Sequence, residues 1–95
     1  MGVKKELLSQ HESLKNFDFS TESIELLKKH FEEEEKFFKA NSEKLGGTDE
    51  LSPVGMALLE HQLLLKLLNE GKKDHFLELL KYHLEKEERQ IYTLL

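Results

Sequence analysis

A chain of 95 residues with 19 acidic and 14 basic side chains, a net charge of −5 and no cysteine has the length of one domain with a modest core, and it excludes disulfides, thiolate catalysis and cysteine-ligated zinc or iron–sulfur sites. No cluster of lysine and arginine is free of acids, so a surface that tracks nucleic-acid phosphates is not expected. No apolar run approaches a membrane span, the N-terminal MGVKKELL lacks the apolar region of a signal peptide, and Glu6 stands where an N-myristoylation signal carries Ser or Thr. The expectation is a soluble cytoplasmic protein with neither a nucleic-acid nor a membrane partner.

The single proline and the abundance of Leu, Glu and Lys favour helix. Val3, Leu7, His11, Leu14 and Phe17 recur every three or four residues and predict a first helix from about residue 3 to about residue 17. Asn16–Ser20 interrupts it. Ser20 can cap the next helix, with Phe19 and Ile24 placed as a hydrophobic staple. The second helix is expected from Thr21 to about Lys44, with Ile24, Leu27, His30, Phe31, Glu34, Phe37 and Phe38 on its inner face and Asn41 and Leu45 beyond. Leu45-Gly46-Gly47 stops it, Thr48–Leu51 is a connection, and Ser52-Pro53 supplies an N-cap followed by proline at the first helical position. The third helix turns Val54, Ala57, Leu58, His61, Leu64, Leu65 and Leu68 inward and closes at Asn69-Glu70-Gly71. Asp74 is the expected cap of a fourth, whose face is Phe76, Leu79, Leu80, His83, Glu87, Ile91 and Leu94. No alternation typical of strands appears. The fold expected for residues 1–95 is one all-α domain, an up-down-up-down antiparallel four-helix bundle.

Four histidines fall one per helix: His11, His30, His61 and His83. In an antiparallel hairpin, two residues share a height when the turn lies midway between them. The midpoints of successive histidines are 20.5, 45.5 and 72, and each falls on or beside an independently assigned break, at Ser20, Leu45-Gly46 and Gly71. Four imidazoles are thus expected in one layer. Glu34 follows His30 by four residues and Glu87 follows His83 by four, so each stacks over its histidine on one helical face, about 6 Å along the axis. Either pair alone is weak evidence in so acidic a chain.

Imidazole and carboxylate suit iron, manganese or zinc, and four histidines with two glutamates and no thiolate favour a non-haem di-iron site. The expected ligands are His11, His30, Glu34, His61, His83 and Glu87, with the two glutamates bridging because each has two oxygens. Without a cation, two buried glutamates would have to protonate or be solvated.

With one His on helix 1, His-x-x-x-Glu on helix 2, one His on helix 3 and His-x-x-x-Glu on helix 4, the chain resembles the hemerythrin-like, HHE cation-binding family. Leu8-Ser9-Gln10-His11, Pro53–His61 and His83–Glu88 are similar to that family's ligand-bearing segments, and the resemblance spans about residues 7–95. It implies two iron ions, oxo- or hydroxo-bridged, binding or sensing dioxygen or a related small ligand such as nitric oxide or peroxide. The alternative is a di-iron enzyme for peroxide or nitric oxide reduction or for iron-centre repair. The oxygen-carrying members have His-x-x-x-His on helix 3; here Ala57 and Leu65 flank His61 at that spacing. The place of the absent fifth histidine is left to Glu33, Glu60 or water.

The remaining candidates read otherwise. Glu32, Glu35, Glu85 and Glu88 are expected on solvated faces. His75 lies about 12 Å from His83 along the helix and some 80° round it, a surface residue. Tyr82 and Tyr92 could supply a phenol near the metals, but the expectation is aromatic packing with a wet hydroxyl.

Overall fold

The computed structural model describes residues 3–47 and 52–94, which form four helices: α1 (Val3–Leu14), α2 (Thr21–Ala40), α3 (Pro53–Asn69) and α4 (Lys73–Gln90), followed by a 3-10 turn at Tyr92–Leu94. No strand occurs among the described residues, and no helix there is long and apolar enough to cross a membrane. The expected connection Thr48–Leu51 lies outside the described residues.

The caps explain most boundaries. Ser20 Oγ accepts from the Ser23 amide at 3.1 Å, and Ser52 Oγ accepts from the Gly55 amide at 3.0 Å, with Pro53 at the first helical position. At the end of α3, the Lys72 amide donates to Leu67 O and the Gly71 amide to Leu68 O. This is a Schellman ending, and it requires the left-handed backbone that Gly71 supplies at φ 72°.

Four boundaries differ from expectation, one of them the end of α4, which stops at Gln90 and leaves Leu94, expected on its inner face, exposed. Helix α1 stops at Leu14 because its last turn tightens: the Phe17 amide donates to Leu14 O, three residues back, and this turn still buries Phe17. Helix α2 stops at Ala40, short of Lys44, because Asn41 turns its side chain back onto Phe37 O at 2.8 Å. The turn that follows ends at Gly46 and still buries Leu45. Asp74 is not a cap. Lys72 holds that position without a side-chain bond, and Asp74 sits in the first turn, where its charge faces the positive end of the helix.

Helix α1 packs chiefly on α2, and α3 on α4. Two apolar clusters form the core. One contains Leu14, Phe17, Leu27, Phe31, Leu64, Phe76, Leu80 and Leu84, with Phe19 and Ile24 packed against it. The other contains Leu7, Phe38, Leu45, Val54, Ala57, Ile91 and Tyr92. On every helix, the residues that separate the two clusters are the histidines and the two inward glutamates. The radius of gyration is 12.8 Å, close to the roughly 12.4 Å expected for a globule of this length.

Candidate metal centre

Between the clusters lies a polar layer in which His11, His30, Glu34, His61, His83 and Glu87 are each no more than 1% exposed. All six residues singled out in the sequence are brought together. The rings of His11 and His30 lie 4.7 Å apart and those of His61 and His83 4.8 Å apart, with Phe31 stacked on His61 at 4.0 Å. His75, Glu32 and Glu85 are exposed.

The inward atoms divide into two groups that share both carboxylates. In the first, His11 Nε2 lies 3.0 Å from Glu34 Oε2 and 3.3 Å from Glu87 Oε1, and His30 Nε2 lies 3.1 Å from Glu34 Oε2. In the second, His61 Nε2 lies 3.2 Å from Glu87 Oε2 and 2.9 Å from Glu34 Oε1, and His83 Nε2 lies 3.0 Å from Glu87 Oε2. Each glutamate therefore turns one oxygen to each histidine pair. Both groups, His11/His30/Glu34/Glu87 and Glu34/His61/His83/Glu87, are compact enough to hold a metal ion. A six-coordinate ion with bonds of about 2.1 Å sets neighbouring donors about 3.0 Å apart, the spacing found.

Outside this shell, every Nδ1 meets an acceptor from the helix before it, with α4 serving α1. His11 Nδ1 donates to Glu88 Oε2 at 3.1 Å, His30 Nδ1 to Gln10 Oε1 at 2.7 Å, His61 Nδ1 to Glu35 Oε2 at 3.0 Å and His83 Nδ1 to Glu60 Oε1 at 2.7 Å. The Gln10 amide nitrogen donates to Glu33, and Lys86 Nζ donates to Glu60, which fixes the orientation of Gln10 and holds Glu60. With the proton of a neutral ring on Nδ1, held by its outer acceptor, the Nε2 lone pair faces inward and is free for a cation.

That inner face is short of donors. His30 Nε2, His83 Nε2, Glu34 Oε1 and Glu87 Oε1 are buried and make no well-directed hydrogen bond, although each lies 2.9–3.3 Å from an imidazole nitrogen or carboxylate oxygen across the layer. Such orphaned atoms are costly unless a cation lies among them. The electrostatics agree. Burial works against a charged His11, but bonds to Glu34 and Glu87 and their charge outweigh it and hold its pKa up at about 10. Burial likewise opposes charge on His61 and His83, and the surrounding carboxylates raise both. Burial would raise Glu34, yet the bonds from His11, His30 and His61 hold it well below the ordinary range. Glu87 is lowered against both burial and the like charge of Glu34. The layer demands positive charge, from protons or from metal.

Several expectations are corrected here. Glu35 and Glu88 are not idle surface charges; they orient His61 and His11. Glu60 and Glu33, two of the alternatives for the place of the absent fifth histidine, bond His83 and Gln10 outside the inner donor groups. The Tyr92 hydroxyl is not wet: it donates to Glu34 Oε2 at 2.6 Å, the ring is 2% exposed, and it meets His11 edge-on at 5.3 Å. Tyr82 is exposed and lies outside both apolar clusters, so the expected packing of its ring is not found.

One signal in the sequence marks the outer partners. The site is a near-repeat, with residues 7–14 matching 57–64 and residues 27–38 matching 80–91. Leu7, Gln10, His11 and Leu14 correspond to Ala57, Glu60, His61 and Leu64. Leu27, His30, Glu34, Glu35 and Phe38 correspond to Leu80, His83, Glu87, Glu88 and Ile91. The outer acceptor precedes the histidine on α1 and α3 and follows the inner glutamate on α2 and α4.

Comparison with known proteins finds no matching family model, no similar curated sequence and no similar solved structure.

Proposed function

We propose that the chain is a hemerythrin-like protein with up-down-up-down helices, in which His11, His30, His61 and His83 hold two iron ions and Glu34 and Glu87 bridge them. The observation that carries this reading is the set of four orphaned inner atoms inside a ring where every Nδ1 is already committed outward. A metal-free interaction module would have to fill this buried layer with protons in place of a cation. The all-imidazole and carboxylate donor set favours iron over softer-ligand metals.

When bound, an oxo- or hydroxo-bridged iron pair supplies reversible redox chemistry toward dioxygen or a related small ligand. The chain's own residues do the rest. The outer acceptors aim the four imidazoles. Glu34 and Glu87 offset part of the cationic charge. The two apolar clusters exclude bulk water from the layer. Four histidine and glutamate donors face each group, fewer than the six of an octahedral ion, which equally supports the enzymatic reading, turnover of peroxide or nitric oxide or repair of iron centres.

Metal analysis tests the proposal. Protein loaded with ferrous iron is expected to retain two irons per chain, to absorb in the near ultraviolet, and to unfold at lower temperature after chelation. Colourless, iron-free protein with unchanged thermal stability would sink it. Anaerobic reduction followed by dioxygen then separates the two readings: a spectrum that recovers when dioxygen is removed supports binding or sensing, and consumption of added peroxide or nitric oxide supports turnover.

A further inference from the structure

The near-repeat relates the two halves of the site without making them identical, and two of the differences bear on the metal positions. The first is Tyr92. Its hydroxyl lies 2.6 Å from Glu34 Oε2, the oxygen that also faces His11 and His30 at 3.0 and 3.1 Å. The residue at the matching position of the other half is Lys39, which is exposed, so the His61/His83 group has no phenol. The second is Ala57, whose counterpart is Leu7. Beside Ala57 a notch between α3 and α4, too tight to hold a water molecule, has Glu60, Lys86, Glu87 and Ile91 among its lining residues. The matching hollow between α1 and α2 is lined by Leu7, Glu33 and Phe37 and includes no inner donor.

We propose that Tyr92 is a seventh protein ligand, an oxygen donor that closes the His11/His30 position, and that the His61/His83 position is the one that takes an external small ligand. The inference rests on the two-iron reading and deepens it. With Tyr92 the first position has two imidazole nitrogens, two carboxylate oxygens and a phenol oxygen, and a bridging oxygen completes six. The second has the same set without the phenol, so one place stays open. Ferric iron is a hard acceptor that takes tyrosine oxygen readily. On ligation the phenol gives up the proton it now shares with Glu34, and that proton leaves to solvent as metal binding generally requires.

The test uses visible spectroscopy of the diferric protein, with azide as a small anionic probe. Phenolate bound to ferric iron absorbs in the visible, where imidazole and carboxylate ligands contribute little. The wild type is expected to show this band and to bind one azide per chain without losing it. Tyr92→Phe keeps the ring packing against His11 and Phe38 and removes only the oxygen. It is expected to retain two irons, lose the band by about tenfold or more, and bind two azides. Tyr82→Phe keeps the band. Full iron content with no visible band in the wild type, or an unchanged band in Tyr92→Phe, overturns the ligand assignment while leaving the two-iron reading intact. Azide that abolishes the wild-type band overturns the assignment of the open position. A wild type that retains no iron takes down both readings, and metal analysis reports it before any spectrum is interpreted.

Discussion

Glu34 and Glu35 are neighbours in a run of four glutamates and have different tasks. Glu34 stacks one turn beyond His30 and points into the layer. Glu35, some 100° further round the helix, reaches sideways to His61 Nδ1 on α3. The i to i+4 spacing identifies the first from sequence, because it needs only one helix. It cannot identify the second, whose role depends on which helix stands beside it. The same holds for Glu60, which bonds His83 and Lys86 across the α3–α4 contact. Partners of this kind typically hold 10- to 100-fold in metal affinity. Glu60→Ala is expected to weaken iron binding by roughly that factor in competition with a chelator, since His83 loses its Nδ1 acceptor. Glu32→Ala, at an exposed site, is expected to leave affinity unchanged. Equal affinities in the two variants would show that the outer ring has no bearing on the metal.

The starts of α2 and α3 were legible because their chemistry is local, Ser20 and Ser52 each satisfying an amide three residues on, whereas α4 starts after Lys72 with no side-chain cap to read. Ser20→Ala should cost about 1 kcal/mol, a fall of roughly 4–8 °C in Tm for a domain of this size, measured on chelated protein so that metal does not mask it. A Tm unchanged within error would mean that the Asp18 carboxylate, which already bonds the Ser20 amide and the Ser23 hydroxyl, suffices as a cap. Helix ends were less legible. The end of α4 is the consequential case. Had the helix continued, Tyr92, five residues beyond Glu87, would point some 140° away from it. Instead Ile91 departs from helical geometry at φ −112° and ψ −56°, and the 3-10 turn swings Tyr92 into the layer. Nothing in the local sequence announces that break, as neither glycine nor proline marks it. Ile91 is buried in the second cluster, so tertiary packing makes it.

Across the molecule, four helices enclose two apolar clusters and one polar layer, and the layer is the costly part. Leucine and phenylalanine burial above and below it stabilises by about 1.5–3 kcal/mol per side chain, while the layer's charges must be matched internally. That architecture ties stability to pH in a predictable direction. The folded pKa of His11 is raised to about 10 from an ordinary 6.5, so in metal-free protein its contribution is complete below 6.5 and is lost as pH rises towards 10. Glu34 and Glu87 are held below an ordinary 4.5, so theirs is present above 4.5 and is lost as pH falls through their lowered values. Chelated protein should therefore be most stable between these limits and decline above pH 6.5, by at most about 1.4 kcal/mol per pH unit for each such histidine. Metal binding runs the other way. An ion must displace the protons of the layer, so its affinity rises over the same range. The gap between iron-loaded and chelated protein in denaturant unfolding should accordingly widen from pH 6.5 towards 10. A chelated protein whose stability is flat across that window would mean that the layer carries no displaceable proton, and a gap that stays constant would mean that the ion binds elsewhere.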